Sequence, residues 1–358
     1  MDDTQIAQQV LATPLGSVRI RRAYYRGAHC GQAAWPYDQR VGLGGTQVRV
    51  GLAQAATRLG AQGPFAPAAE TLRPLTGQRL SKRTVERLTE PVGTVAAAQE
   101  ARPAASLADW QAPPAEAQPE RLYVAVDGTR VPQDDGWHEA KCVTCCWDEP
   151  DGTRRARDAV RFAEAARFVA LAWALAGRCG LETAQPVVLL GDGAAWIWAP
   201  IGGLLKEAVC ILDWYHALEH VWTCGRALYG EGTPATAAWV QEYETLLWAG
   251  QVRAILDRSR DERAQTRSPP KRAALQALLT YVANQDDRRA YDRFRTLGLE
   301  IGSGRVEAVC KHVVGLRMKQ SGMRWSKADS QNTLSLRVAW PNGDGDRLWA
   351  SHPLVRAA

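Results

Sequence analysis

Apolar and polar residues alternate early in this chain. In S-V-R-I-R-R-A-Y-Y-R, Val18, Ile20 and Arg22 fall on one face and Arg19 and Arg21 on the other, which predicts a basic β-strand. A turn-rich stretch, G-A-H-C-G-Q-A-A-W-P-Y-D, comes next. The period then lengthens to a helical one over residues 48–59 and again over 67–72, where Pro74 is expected to end or bend the helix. Beyond Gly77, L-S-K-R-T-V-E-R-L-T-E offers Ser81 as a cap and sets Val85 and Leu88 three apart on a helix face. Helix, glycine turn and basic helix have the layout of a helix-turn-helix, with Lys82, Arg83 and Arg87 offered to a DNA groove. A solvated face on a small helical bundle accounts for the same charges.

Residues 94–120 are rich in Ala and Pro and read as a linker, helical at most at its start. From residue 121 strands and helices alternate. R-L-Y-V-A-V-D, E-A-K-C-V-T-C-C-W and residues 152–159 predict three strands, and a long helix follows over 160–176. P-V-V-L-L-G-D is continuously apolar, as expected of a strand covered on both faces. A short helix over 194–205 leads to A-V-C-I-L-D, a fifth strand that runs into the helix W-Y-H-A-L-E-H-V-W. Three antiparallel strands followed by alternating helix and strand is the order of the RNase H-like fold. The predicted class is therefore α/β with a mixed five-stranded sheet. Residues 229–297, charged and rich in Ala and Leu, read as an all-helical insertion broken at Ser268-Pro269-Pro270. The predicted organisation is an N-terminal DNA-binding region (1–93), a linker (94–120), a first part of the core (121–228), the insertion (229–297) and a second part (298–358).

Composition adds bounds rather than direction. A chain of 358 residues, 46% apolar, can bury a real core, and a net charge of +6 permits nucleic-acid binding without demanding it. The most apolar long segment, 162–181, holds Glu164, Arg167 and Arg178 and so reads as a buried helix, not a membrane span. The start, M-D-D-T-Q-I-A, lacks the layout of a signal peptide, so a cytoplasmic location with reduced cysteines is expected. Cys142, Cys145 and Cys146 form C-x-x-C-C, but on a strand positions i and i+3 point to opposite faces, which makes sheet packing the better reading than zinc.

The chemistry lies in three acidic positions. Asp127 and Asp192 each end a strand, and Glu307 follows I-G-S-G-R-V at the start of a late helix. Carboxylates gathered from such places hold divalent cations. Two ions about 3.5–4 Å apart activate water and stabilise the leaving oxygen in phosphodiester cleavage. Taken singly, D-G after a strand is more often a turn than a ligand; order and placement together favour the metal reading. Asp213 and His216 form Asp-x-x-His at the mouth of the fifth strand, with a supporting role near the site. His220, one turn on, reads as a supporting or a packing residue, since a helical pair without a clear third ligand is a weak metal signal. The segment K-H-V-V-G-L-R-M-K-Q-S-G-M-R-W-S-K is basic: Lys311, Arg317, Lys319 and Arg324 suit phosphates, and Trp325 suits either base stacking or the core.

D-G-T-R-V-P, W-x-E-x-K at 137–141, L-L-G-D-G-A-A-W-I-W, I-L-D-W-Y-H-A-L-E-H, I-G-S-G-R-V-E-A-V-C-K-H and R-M-K-Q-S-G-M-R-W-S resemble, in order, the bacterial ISKra-type insertion-sequence transposases. That family is similar to Mutator-type DDE transposases, with an RNase H-like catalytic domain interrupted by helices. The resemblance implies that Asp127, Asp192 and Glu307 are a DDE triad holding Mg²⁺ or Mn²⁺, two ions in all, with Asp213 and His216 matching the family's (Cys/Asp)-x-x-His motif. It implies metal-dependent cleavage at the element's ends and attack of the freed 3′-hydroxyl on target DNA. The partners implied are double-stranded DNA and further copies of the chain, with no membrane, in the bacterial cytoplasm at the nucleoid. Where relatives carry Cys-x-x-Cys after the Y-Y-R strand, this chain has R-G-A-H-C-G, with Gly27 in place of the first cysteine; Cys30 and His29 alone do not complete a structural zinc site. Two other readings stay open: a non-catalytic transposase-derived DNA-binding protein, and a structure-specific nuclease.

Overall fold

The apolar run that begins at Leu122 becomes the middle of a five-stranded sheet. The computed structural model describes residues 3–26, 32–40, 47–105, 114–198, 201, 203, 205 and 207–350. Strands β4 (Leu122–Gln133), β5 (Gly136–Asp148), β6 (Arg154–Arg161), β7 (Val187–Gly191) and β8 (Val209–Leu212) lie in the order β6-β5-β4-β7-β8. The β4–β5 and β5–β6 pairs are antiparallel, while β4–β7 and β7–β8 are parallel. Helix α5 (Ala165–Arg178) carries the chain from β6 at the sheet's edge back across to β7, which can then lie parallel beside β4.

Both faces of the sheet are covered, which explains the continuous hydrophobicity of its middle strands. Leu122, Val124 and Val126 pack with Phe168, Leu175 and Ile197 on the α5 side. Tyr123, Ala125 and Val131 face a larger cluster that includes Trp214, Tyr243 and Val314. The C-x-x-C-C segment obeys the strand alternation: Cys142 and Cys146 join the second cluster and Cys145 the first.

After β8, helix α7 (Trp214–Tyr229) begins the helical layer; α6 (Ala195–Trp198) precedes β8. The expected insertion follows as α8 (Pro234–Trp248), α9 (Val252–Gln265), α10 (Pro269–Ala283) and α11 (Tyr291–Thr296). The expected break at Ser268-Pro269-Pro270 does separate two helices, α9 and α10, and the prolines open the second because proline's missing N–H costs nothing in a first turn. The chain returns to the sheet as α12 (Gly304–Ala308), which runs on through a π-helical stretch (Val309–Gly315) to Leu316–Met318, and then forms α13 (Lys327–Ala339) and α14 (Gly345–Ala350).

The N-terminal region departs from expectation in three places. A strand, β1 (Asp3–Thr13), precedes the one read as first; it pairs antiparallel with β2 (Gly16–Arg26), and β3 (Ala33–Ala34) adds to the far side. Its large apolar residues are few, and two of them, Ile6 and Val10, are exposed while Leu11 is buried, so the sequence gives it little signal. Helix α1 (Pro36–Arg40) and α2 (Val50–Gln62) lead to α3 (Phe65–Thr76), which Pro74 does not end; the stop is Gly77, in the left-handed conformation that favours glycine. Finally, α4 (Lys82–Ala105) continues into the region read as linker. Ala96 and Ala97 are buried there, and Glu100 accepts hydrogen bonds from Ser335 and Arg161. Residues 106–113 of that region, and Gly27, His29 and Cys30, lie outside the described residues. The helices α2 to α4 share a core with Leu336, Leu348 and Trp349 from the other end of the chain, so the first and last segments fold as one body.

Candidate metal centre

Parallel pairing of β4 with β7 runs in register to Val126↔Gly191, and the next residue on each strand is an aspartate. Asp192 leaves β7 there as expected, whereas Asp127 does not end its strand: β4 runs on to Gln133, paired with β5, and only its pairing with β7 stops before Asp127. Asp127 shares a face with Ala125 and Val131 and is buried. One of its oxygens accepts the N–H of Gly128 at 2.6 Å. Burial pushes its carboxyl above the usual range, against the pull of the Gly128 N–H, the Cys310 thiol and His216.

Asp192 is half-buried, and its carboxylate accepts the N–H of Ala194 at 2.9 Å across a tight turn. Gly193 makes that turn with φ of +97°; a Cβ there would stand 2.9 Å from the Gln285 amide nitrogen and 3.2 Å from the rings and methyls of Tyr281 and Leu212. The Tyr281 hydroxyl donates to the Asp192 carbonyl at 3.2 Å. The insertion therefore buttresses the aspartate turn through α10. His220 stacks on Tyr281 at 3.6 Å between ring centroids, and burial lowers its pKa, in keeping with the packing reading.

The third member of the centre is His216. Ligand atoms of Asp127, Asp192 and His216 lie within 4.8 Å of one another, the one such group of histidine, cysteine and acidic residues among those described. Asp213 caps α7 and is 1% exposed; it accepts the His216 backbone N–H at 2.8 Å, the His216 ring Nδ1 at 3.2 Å and the Ser303 N–H. Burial opposes charge on Asp213, but these donors outweigh it and hold the carboxyl below its usual range. The hydrogen bond to Asp213, with the charges of Asp213, Asp127 and Asp192, pushes His216 up to about 9 against its burial. An imidazolium thus balances the carboxylates in the metal-free protein. With Nδ1 engaged by Asp213, Nε2 is the nitrogen available to a cation.

Glu307 sits elsewhere. It is exposed in the first turn of α12 and is not part of the close cluster. Its helix does reach the site: Cys310, three residues on, is buried and hydrogen-bonds both Asp127 and Cys142, which keeps its thiol protonated. Asp127 and Asp192 thus lie beside each other with the late helix against them, and His216, expected in a supporting role, stands in the close group with them. The signal for His216 was present: an Asp that caps a helix three residues before a His orients that ring toward the strand ends.

The basic residues divide. Lys82, Arg83 and Arg87 are exposed in the first turns of α4, and Lys311 and Arg324 are exposed near the C-terminal end. Lys319 donates to the Thr129 hydroxyl, two residues past Asp127, which sets its charge beside the centre. Arg317 is a correction: it is 2% exposed, so it is no phosphate contact. Its guanidinium lies 4.6 Å from the Trp325 ring and 5.6 Å from Phe65, and burial lowers its pKa to about 10. The π-helical stretch just before it rotates the helix faces away from a 3.6-residue pattern, so a basic run reads as surface in sequence and turns inward in space. Trp325 has the packing role: it is half-buried under Arg317, and its indole donates to the Met318 carbonyl at 3.2 Å. In the W-x-E-x-K segment, Lys141 is buried, bonded to Glu139 at 2.6 Å and lying over Trp196.

No helix is long and apolar enough to cross a membrane among the described residues. No curated protein matches the chain. A family model does match it, over residues 4–349, so the centre, the insertion and the N-terminal hairpin all fall within one family: the chain belongs to the uncharacterised protein family UPF0236.

Proposed function

We propose that this protein is a DDE-type transposase with an RNase H-like core, which cleaves DNA at the ends of an insertion sequence and joins the freed 3′-hydroxyl to target DNA. The observation that carries the proposal is the convergence of Asp127, Asp192 and His216 within 4.8 Å where the parallel pairing of β4 with β7 ends. The strand order β6-β5-β4-β7-β8 supports the RNase H-like assignment, as does a helical insertion between the fifth strand and a helix that returns across Asp127. The proposed substrate is double-stranded DNA at element ends and target, handled by several copies of the chain at the bacterial nucleoid.

The donor set fits a divalent cation. Two carboxylates supply hard oxygens suited to Mg²⁺ or Mn²⁺, and an imidazole adds a preference for Mn²⁺. Asp127, Asp192 and His216 Nε2 would hold one ion, and Glu307 is the candidate carboxylate for a second. A bound ion supplies a lowered pKa for the attacking water or hydroxyl and neutralises charge at the phosphate. The chain's own part is positional. Asp213 orients His216 and absorbs its charge change, since His216 has to release its proton to become a ligand. Cys310 and Gly128 fix the Asp127 carboxylate, and Lys319 adds positive charge at the rim.

The test is nicking and strand transfer with linear DNA carrying the inverted repeats that flank the gene, in Mg²⁺ or Mn²⁺. Asp127→Ala, Asp192→Ala and Glu307→Ala should each abolish both steps and preserve DNA binding. Nicking at the wild-type rate by any one removes that residue from the site. Binding with no cleavage, unchanged in Asp192→Asn, replaces the proposal with a non-catalytic DNA-binding protein.

A further inference from the structure

A cleft of about 470 Å³ opens beside the centre, within the roughly 300–1,000 Å³ of small-ligand sites. Its floor is Ala125 and Leu190, paired in register across β4 and β7 and each two residues before a site aspartate. Its wall carries two rings that the core leaves open: Tyr215 is 63% exposed and Trp248 44% exposed. Neither is a loose surface side chain. The Tyr215 ring lies against Gly302, where an added Cβ would come within 3.1 Å of its Cε2, so the ring is held against main chain while most of it stays exposed. Trp248 meets the buried Trp214 edge-on at 5.1 Å and has Arg295 over its ring at 3.7 Å. Exposed Arg305 stands on the rim.

Rigid aromatic faces beside guanidinium groups match the chemistry of an unpaired nucleobase and its phosphate, since every base has a stacking face and stacking tolerates any sequence. The position matches too. Tyr215 directly precedes His216 in the turn that Asp213 caps, and Ser303 on the cleft lining donates to Asp213. We infer that the cleft takes an unpaired nucleobase of the DNA strand at the metal centre, stacked on Tyr215, with Arg305 on its phosphate. The inference rests on the proposed function, since it names how the same site holds its DNA.

Binding of full-length protein to a forked duplex in EDTA tests it, with the fork carrying one unpaired nucleotide, or an abasic residue in its place. Wild type and Tyr215→Phe should prefer the base over the abasic fork by about tenfold or more, the factor that base–aromatic stacking supplies. Tyr215→Ala should lose that preference and keep its affinity for the abasic fork, and Arg305→Ala should weaken both and flatten the salt dependence. DNA binding with no base preference in the wild type, or an intact preference in Tyr215→Ala, overturns the cleft assignment and leaves the transposase proposal standing. Failure to bind any DNA overturns both.

Discussion

One carboxylate oxygen of Asp213 receives both the backbone N–H and the ring Nδ1 of His216, at 2.8 and 3.2 Å. The pair is closed within one helical turn, and it holds the His216 ring in the close group with Asp127 and Asp192. Outer partners of this kind set the affinity of a metal ligand. Asp213→Asn should therefore weaken Mn²⁺ binding by about 10- to 100-fold, read by calorimetry. The same variant should move the His216 pKa down from about 9 toward 6.5, read by NMR titration. Wild-type affinity in Asp213→Asn would take His216 out of the coordination.

The His216 shift also fixes the pH dependence of stability. Its pKa is about 9 in the fold and 6.5 without its partners, so between those values the folded state holds a proton that the unfolded chain has released. The stabilisation is complete below pH 6.5 and is lost as pH rises through about 9. Partial exposure of the ring limits the effect to on the order of 1–2 kcal/mol. Thermal midpoints of the metal-free protein should fall across that window, and those of His216→Gln should stay flat. Apparent Mn²⁺ affinity should run the other way and rise, because the competing proton leaves.

Asp127 carries its charge against burial, with its carboxyl pushed up. An uncharged isostere removes that burden along with the ligand. Asp127→Asn should leave the metal-free thermal midpoint at or above the wild-type value and abolish the rise that Mn²⁺ produces. A clear drop in the metal-free midpoint would mean that the carboxylate serves the fold.

Gly193 has both a φ of +97° and no room for a methyl group. Gly193→Ala should cost about 1–3 kcal/mol in urea unfolding. It should also push Tyr281 off the Asp192 turn, so that metal affinity falls with stability. A stable Gly193→Ala protein with intact metal binding would show that the turn is not held as described.

Arg317 and Arg324 are seven residues apart in one basic run and should behave oppositely. Arg317→Ala opens a hole beneath Trp325 and Phe65 and should cost about 2–4 kcal/mol. Arg324→Ala should change stability by no more than about 0.5 kcal/mol and lower the salt slope of DNA binding by about 1. Denaturation curves and binding at graded salt separate the two.

The order of strands in the main sheet, the end of β7 at Asp192 and the helical character of the insertion were legible because each is local, whereas Asp127 lies inside β4, which pairs with β5 beyond it. Continuous apolar runs mark strands buried on both faces, and Asp192-Gly193 marks where the chain leaves β7. The first strand was not legible, because Ile6 and Val10 face solvent and leave almost no alternation to read. Nor was the packed half of α4, whose Ala- and Pro-rich composition suits a linker until α13 and β6 supply partners such as Ser335 and Arg161 for Glu100.

By itself the sequence determined the five strands of the main sheet, the two aspartates on adjacent strands and the helical character of the insertion. Only tertiary structure decided which side chains meet. His216 enters the cluster because Asp213 caps a helix at the end of β8, Glu307 lies outside it on an exposed turn, and Arg317 turns inward through a π-helical stretch. The reason is geometric: periodicity specifies a residue's face on its own element, whereas a site is made by the relative placement of several elements, and that is set by packing across the sheet.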